Sequence, residues 1–145
     1  MSPDNLVAKA EININTTVDK VWNALTNEEL LKKFMFGSTV ISDWKEGSKI
    51  IWKGEWQGKA YEDKGEVLKA IPGKKLQYTH FSPMMGLPDI PENYHTVTID
   101  LTENGEQTNV VLSQDKNTTE EAREHSQKNW AMMLEGLKKL LEESK

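Results

Sequence analysis

The chain has 145 residues and a formal net charge of −5, with no cysteine, five tryptophans and six methionines. That length suits one domain, expected over 1–145, with a core that needs no staples; without cysteine, disulfides and thiolate metal sites are excluded. An acidic balance lacking any basic run argues against nucleic acid or anionic membrane as a partner, no stretch approaches the roughly 20 apolar residues of a membrane span, and an N-terminus without an apolar signal core predicts a cytoplasmic protein.

Leu6 to Asn15 alternates. Leu6, Ala8, Ala10, Ile12 and Ile14 point one way, and Lys9, Glu11, Asn13 and Asn15 the other, which predicts a half-buried strand. Thr16, with Asp19 three residues on, predicts a helix start; Val18, Val21, Trp22 and Leu25 form its apolar face, with Trp22 in the structural core. Thr26 with Glu29 makes a capping box for a second short helix ending near Gly37, striped by Leu30, Leu31 and Phe34.

A meander of strands follows. Thr39 to Trp44 leads to a turn at Glu46-Gly47, and Ser48 to Trp56 places Ile50, Trp52 and Trp56 on one face. After Gln57-Gly58, Ala60 to Ile71 is a long strand closed by Pro72-Gly73, and Lys74 to Phe81 carries Leu76, Tyr78 and His80 on one side. Ser82 to Glu92 holds three prolines and reads as an apolar loop. Asn93 to Glu103 resumes alternation through His95, Val97, Ile99 and Leu101; Asn104-Gly105 signals a hairpin, and Glu106 to Asp115 returns with Thr108, Val110, Leu112 and Gln114 on one face. Thr118 with Glu121 opens a long C-terminal helix whose apolar stripe is Ala122, Trp130, Met133, Leu134, Leu137 and Leu141. A helix that long needs a partner along its length. A seven-stranded antiparallel sheet with one apolar face provides it, giving an α+β fold.

This element order resembles the START-like, helix-grip superfamily. Local motifs narrow the likeness: Val21-Trp22-x-Ala24-Leu25-Thr26, Trp44-x-x-Gly47, Gly65-x-Val67, Leu76-x-Tyr78-Thr79, Thr108-x-Val110-x-Leu112, Asn129-Trp130 and Leu134-x-x-Leu137. Together they are similar to the family named after the activator of the heat-shock-protein-90 ATPase, in its short stand-alone bacterial form. The resemblance runs from about Ala8 to Leu141. It implies a curved sheet wrapped around the last helix with a cavity between them, and a chaperone as partner by family analogy. Two places differ: Gln114 stands where the family often has a histidine, and Asn129 where a glycine commonly precedes the tryptophan.

His80 and His95 fall on the inward faces of adjacent strands and can act as acid, base or ligand anchor, or simply as hydrogen-bonded rim residues. Two histidines without a third ligand do not make a zinc site, so neither metal nor cofactor is expected. Tyr61 and Asp63 share a face with Gly65 and Val67; the simpler expectation for Asp63 is exposure beyond the core, because charged residues are almost never buried unpaired. Gly65 reads as a kink that helps the sheet curl. Trp52, Trp56 and Tyr78 are expected to line the cavity, with Gln114 on the seventh strand and Trp130 and Met133 on the helix opposite. Met84 and Met85 sit in the loop that could cover its mouth. His125 is expected in solvent. No GxSxG serine, phosphate-cradling glycine loop or cysteine nucleophile is present. Three functions remain open. The first is a binding protein for a small apolar molecule (lipid, aromatic or polyketide-like), as monomer or weak homodimer. The second is a co-chaperone-like interaction domain. The third is a cyclase- or hydrolase-like enzyme using His80, His95 or Asp63.

Overall fold

Alternation in the sequence becomes alternation in burial. The computed structural model describes residues 6–34, 39–56, 58–82, 88–117 and 119–143. In β1 (Leu6–Ile14), Ala8, Ala10 and Ile14 are buried between exposed Lys9, Glu11 and half-buried neighbours. Two short helices follow, α1 (Val18–Leu25) and α2 (Glu28–Phe34), then β2 (Thr39–Ile41), β3 (Lys49–Trp56), β4 (Lys59–Ile71), β5 (Lys75–His80), β6 (His95–Asn104), β7 (Gln107–Asn117) and α3 (Glu120–Glu143). The seven strands form one antiparallel sheet in the order β1-β7-β6-β5-β4-β3-β2. The buried row runs through Ile50, Val67, Leu76, Tyr78, Val97, Ile99, Val110 and Leu112, all facing the helices.

Helix α3 has 24 residues and so spans about 36 Å. Met133, Leu134, Leu137 and Leu141 are buried along it. Each such side chain contributes about 1.5–3 kcal/mol by leaving water. Its polar flank does something the alternation did not announce. β1 lies at the sheet edge, and α3 satisfies that edge: Lys9 N–H donates to Gln127 Oε1 (3.2 Å), Asn15 N–H to Glu142 Oε2 (2.9 Å), and Lys138 Nζ to the Asn13 carbonyl (2.8 Å). Open edges invite pairing with other chains, and here side chains of the long helix occupy the free groups. Buried Asn117 ties the same corner together, donating to the Leu6 and Gln114 carbonyls and accepting from Ser126 Oγ.

Several boundaries lie a residue or two from where the sequence signals put them. α1 begins at Val18 with Thr17 as its extended N-cap, and no side chain caps it. Thr16 is buried instead, and its carbonyl accepts from Thr108 Oγ1 at 2.9 Å. Asn27, not Thr26, caps α2, its Oδ1 accepting from Glu29 N–H and Leu30 N–H; Thr26 Oγ1 donates back to the Trp22 carbonyl. Asn is among the preferred N-cap residues, and here the Thr26 hydroxyl is already engaged with the preceding turn. α3 is capped by Thr119, whose Oγ1 accepts from Ala122 N–H at 3.0 Å; Thr118 and Gly37 lie outside the described residues. β2 ends at Ile41, short of Trp44, because Trp44 takes a left-handed backbone (φ 56°). The β6–β7 turn falls on Gly105-Glu106, since Asn104 pairs with Gln107 and Gly105 supplies the positive φ of 68°.

Gly65 lets the sheet bend. It sits where β4 passes from its pairing with β3 to its pairing with β5, next to a register break between Val67 and Lys69. A Cβ there would lie 1.7 Å from the Thr79 carbonyl oxygen and 3.3 Å from the Trp52 ring. Only glycine allows both approaches. Gly65→Ala is expected to cost about 2–3 kcal/mol in urea unfolding, and Thr119→Ala about 1 kcal/mol. A neutral Gly65→Ala variant would show that the bend is not needed.

Candidate functional site

Where α1, α2 and α3 meet the bent sheet, the core does not close completely. A void of about 20 Å³ remains, lined by Leu25, Leu31 and Phe34 from the short helices and by Val40, Trp44, Trp52, Leu76, Tyr78, Ile99 and Met133. That is room for about one water, far below the roughly 300–1,000 Å³ of pockets that hold drug-sized ligands. Its walls are not wholly apolar in chemistry. Trp44 Nε1 is buried and has no hydrogen-bond partner among the described residues. Tyr78 is buried, and loss of solvent pushes its hydroxyl well above the ordinary tyrosine range. A bulky residue at positive φ is an outlier that surrounding packing must hold in place, and Trp44 is such a residue beside this void.

One step further along the strands the inward side chains turn polar. Trp52 pairs with Asp63 across β3–β4, and His80 with His95 across β5–β6. His80 Nε2 and Asp63 Oδ2 are 3.0 Å apart, and His80 stands edge-on to Trp52 with ring centroids 4.9 Å apart. The Asp63 side chain is only 15% exposed, so the expectation of a solvated carboxylate is wrong. The backbone bridge between Lys64 and Phe81 keeps this end of β4 against β5, where the histidine supplies the partner that burial demands. His95 is held differently. Lys116 has a left-handed backbone (φ 56°), and Asp115 beside it accepts from Thr96 N–H through Oδ1 and from His95 Nδ1–H through its carbonyl at 2.9 Å.

The other residues expected in the cavity are dispersed. Trp52, Tyr78 and Met133 line the void. Gln114 and Trp130 are joined to each other, with the indole N–H donating to the amide oxygen, and they stand outside the void's lining. The Tyr61 ring covers Gly54, its cross-strand partner. Trp56 is in β3 but its side chain, with Met84 and Met85, lies outside the described residues. His125 is exposed and Trp22 half-buried against the core, as expected. Leu25, Leu31, Phe34 and Trp44 were not expected in the lining. Helical periodicity marked the first three only as core, and nothing in a linear pattern shows that the short helices roof the void.

The described end of the proline-rich loop packs on the outer face of the sheet. Phe81 is buried beneath Tyr94, ring centroids 5.0 Å apart, and Asp89 accepts from both Tyr94 Oη–H and Lys64 Nζ. The bond from Lys64, and then that from Tyr94, hold the Asp89 carboxyl below its ordinary range, and Asp89 in turn raises Tyr94 and Lys64. Among the described residues no group of three His, Asp or Glu is placed to hold a metal, and no helix is long and apolar enough to cross a membrane.

A curved antiparallel sheet gripping one long helix, with two short helices roofing the junction, defines a helix-grip, START-like domain. The chain belongs to the Activator of Hsp90 ATPase homolog 1-like protein family, whose model matches residues 15–142. A solution structure from Cytophaga hutchinsonii is 57% identical, with a TM-score of 0.85 over 96% of this chain and 95% of that one. The Aha1 dimer from Colwellia psychrerythraea is 25% identical, with a TM-score of 0.70 over 91% of this chain and 92% of its own. DynU16, from the dynemicin biosynthetic locus, shares the fold at 16% identity and TM-score 0.79, over 97% of this chain and 48% of that one. No curated protein matches the chain.

Two measurements check this geometry. Tyr78→Phe removes a hydroxyl held in a largely apolar core, so stability is expected to stay within about 1 kcal/mol; a larger loss would reveal a hydrogen bond. Asp89 has a lowered folded pKa, so its contribution is fully present above the ordinary carboxylate range and is lost as pH falls through the lowered value. Carboxyl NMR should place its midpoint below that of an unstructured aspartate, and Lys64→Ala should raise it.

Proposed function

We propose that this protein binds a small, largely apolar molecule between α3 and the sheet, at the position of the void. The observation that carries the reading is the lining itself: two indoles, a phenol and a methionine meet a gap that packing leaves unfilled. As it stands the gap is too small for such a ligand. Binding therefore displaces side chains of α2, which has seven residues and touches α3 where Phe34 approaches Gly136. An aromatic ligand would replace the contacts that Phe34 and Met133 give up. DynU16's place in a biosynthetic locus supports a small-molecule role for the fold and leaves the ligand of this chain to its own lining.

A protein-interaction role rests on the family name and on the dimeric Colwellia relative. Its support in the surface is weaker. Exposed large apolar residues among those described are Val7, Ile41, Leu68, Ile71, Ile90 and Met132, which fall on five separate segments.

Titration with fatty acids, naphthalene derivatives and aromatic polyketides, followed by amide shifts and tryptophan fluorescence, tests the cavity. Shifts are expected at Phe34, Trp52, Tyr78 and Met133. Shifts confined to other faces would refute the assignment. Met133→Ala should cost about 2–5 kcal/mol of stability by leaving a larger hole, and should tighten binding of naphthalene into the space it opens.

A further inference from the structure

The void has one polar feature of fixed sign. Of its ten lining residues only Trp44, Trp52 and Tyr78 carry a side-chain nitrogen or oxygen, and none is charged. Burial pushes the Tyr78 hydroxyl up, so it keeps its proton. An indole N–H only donates, whatever the pH. Trp44 as a whole is half-buried, yet its Nε1 is out of contact with solvent and has no hydrogen-bond partner among the described residues. The other buried atom in that condition, Asp63 Oδ1, belongs to a residue outside the lining. Trp44 also holds a left-handed backbone (φ 56°), which few bulky residues adopt. Hydrogen bonds pin the chain on both sides of it. The Trp44 backbone N–H donates to Ser42 Oγ at 3.1 Å, and further on Gly47 N–H donates to the Val67 carbonyl and Ser48 N–H to the Lys45 carbonyl, at 2.8 and 2.9 Å. A strained backbone and an unsatisfied buried donor thus coincide at one residue beside the void. Filling the core needs neither. Buried polar groups are normally satisfied, so the open donor marks a missing acceptor.

We propose that Trp44 Nε1–H anchors the polar end of the ligand, and that this end is a neutral hydrogen-bond acceptor, the carbonyl oxygen of a ketone, aldehyde or ester. This rests on the cavity reading above. The size of the void fits the role. About 20 Å³ admits one oxygen-sized group beside the indole, while the apolar body of the ligand takes the place of Phe34 and Met133. A hydrocarbon of the same shape would leave the donor open. An ionised carboxylate is also an acceptor, but it would bring its charge among lining side chains that offer no cation, at a large desolvation cost. Neutral carbonyl compounds with an apolar body therefore bind in preference both to hydrocarbons of their shape and to free fatty acids.

Three probes of similar shape test the anchor: 1-acetylnaphthalene, 1-isopropenylnaphthalene and 1-naphthoate. The first two differ only in a carbonyl oxygen replaced by a methylene group. Burial of apolar surface alone ranks the alkene above the ketone. The anchor reverses that order, with the ketone about 10-fold tighter and naphthoate weakest. Trp44→Phe keeps a ring at the wall and removes the donor, and should abolish the ketone's advantage. The indole N–H resonance of Trp44 in the wild-type protein supplies a readout independent of the variant's folding. It should move further downfield with the ketone than with the alkene. Alkene binding as tight as the ketone, naphthoate binding most tightly, a ketone preference that survives Trp44→Phe, or an indole resonance that answers both neutral probes alike would each overturn the anchor while leaving the cavity intact. Failure of all three probes to bind would overturn the cavity, and the anchor with it.

Discussion

The structure depends on one helix meeting two different demands of one sheet. α3 buries Met133, Leu134, Leu137 and Leu141 against the concave face, and it also hydrogen-bonds the free edge of β1 through Gln127, Lys138 and Glu142. The first demand is the burial of apolar surface; the second is the pairing of backbone groups that a sheet edge would otherwise offer to other chains. Because β1 pairs with β7, the first and last strands lie side by side at this clamp, so chain ends far apart in sequence are bound into one corner. Asn117 completes it by linking β1, β7 and α3.

A sheet held at one edge by a straight helix must curve away from it elsewhere, and the chain provides the means at Gly65. The missing side chain lets the Thr79 carbonyl and the Trp52 ring approach β4 from two sides. The Trp52 ring admitted there lines the void on one side and meets His80 edge-on. Fold and site therefore share a residue: Trp52 packs over Gly65 and also touches the void and His80. Left-handed backbone at Trp44 and Lys116 flanks the region, one beside the void and one beside His95. Such conformations persist where packing over-determines them.

Family membership explains the architecture more fully than the chemistry. Structures at 16% and 57% identity share the fold with this chain, so the fold tolerates wide change in sequence. Gln114 is bound to Trp130, a helix-to-sheet contact, while near Trp52 Asp63 meets His80, and His95 donates to the Asp115 carbonyl.

Period-two alternation in β1, β3, β5, β6 and β7 and period-3.6 stripes in the helices were legible directly, because each is set by which face leaves water. The inward placement of Trp52, Tyr78, His80 and His95 followed from that alternation. Caps were legible only to within a residue: where two adjacent residues can accept a hydrogen bond, as Thr26 and Asn27 can, the path of the chain into the helix decides which one does. Asp63 was misjudged because its burial depends on a partner 17 residues away in another strand. The edge-capping roles of Gln127, Lys138 and Glu142 were hidden for the same reason, since polar residues on a helix flank look alike until a strand lies beside them. The sequence by itself determined which side of each element is apolar, because that is a local count of contacts with water. Only the tertiary structure decided the size of the void and the partners of the polar groups, because both depend on distances between segments that no linear spacing records.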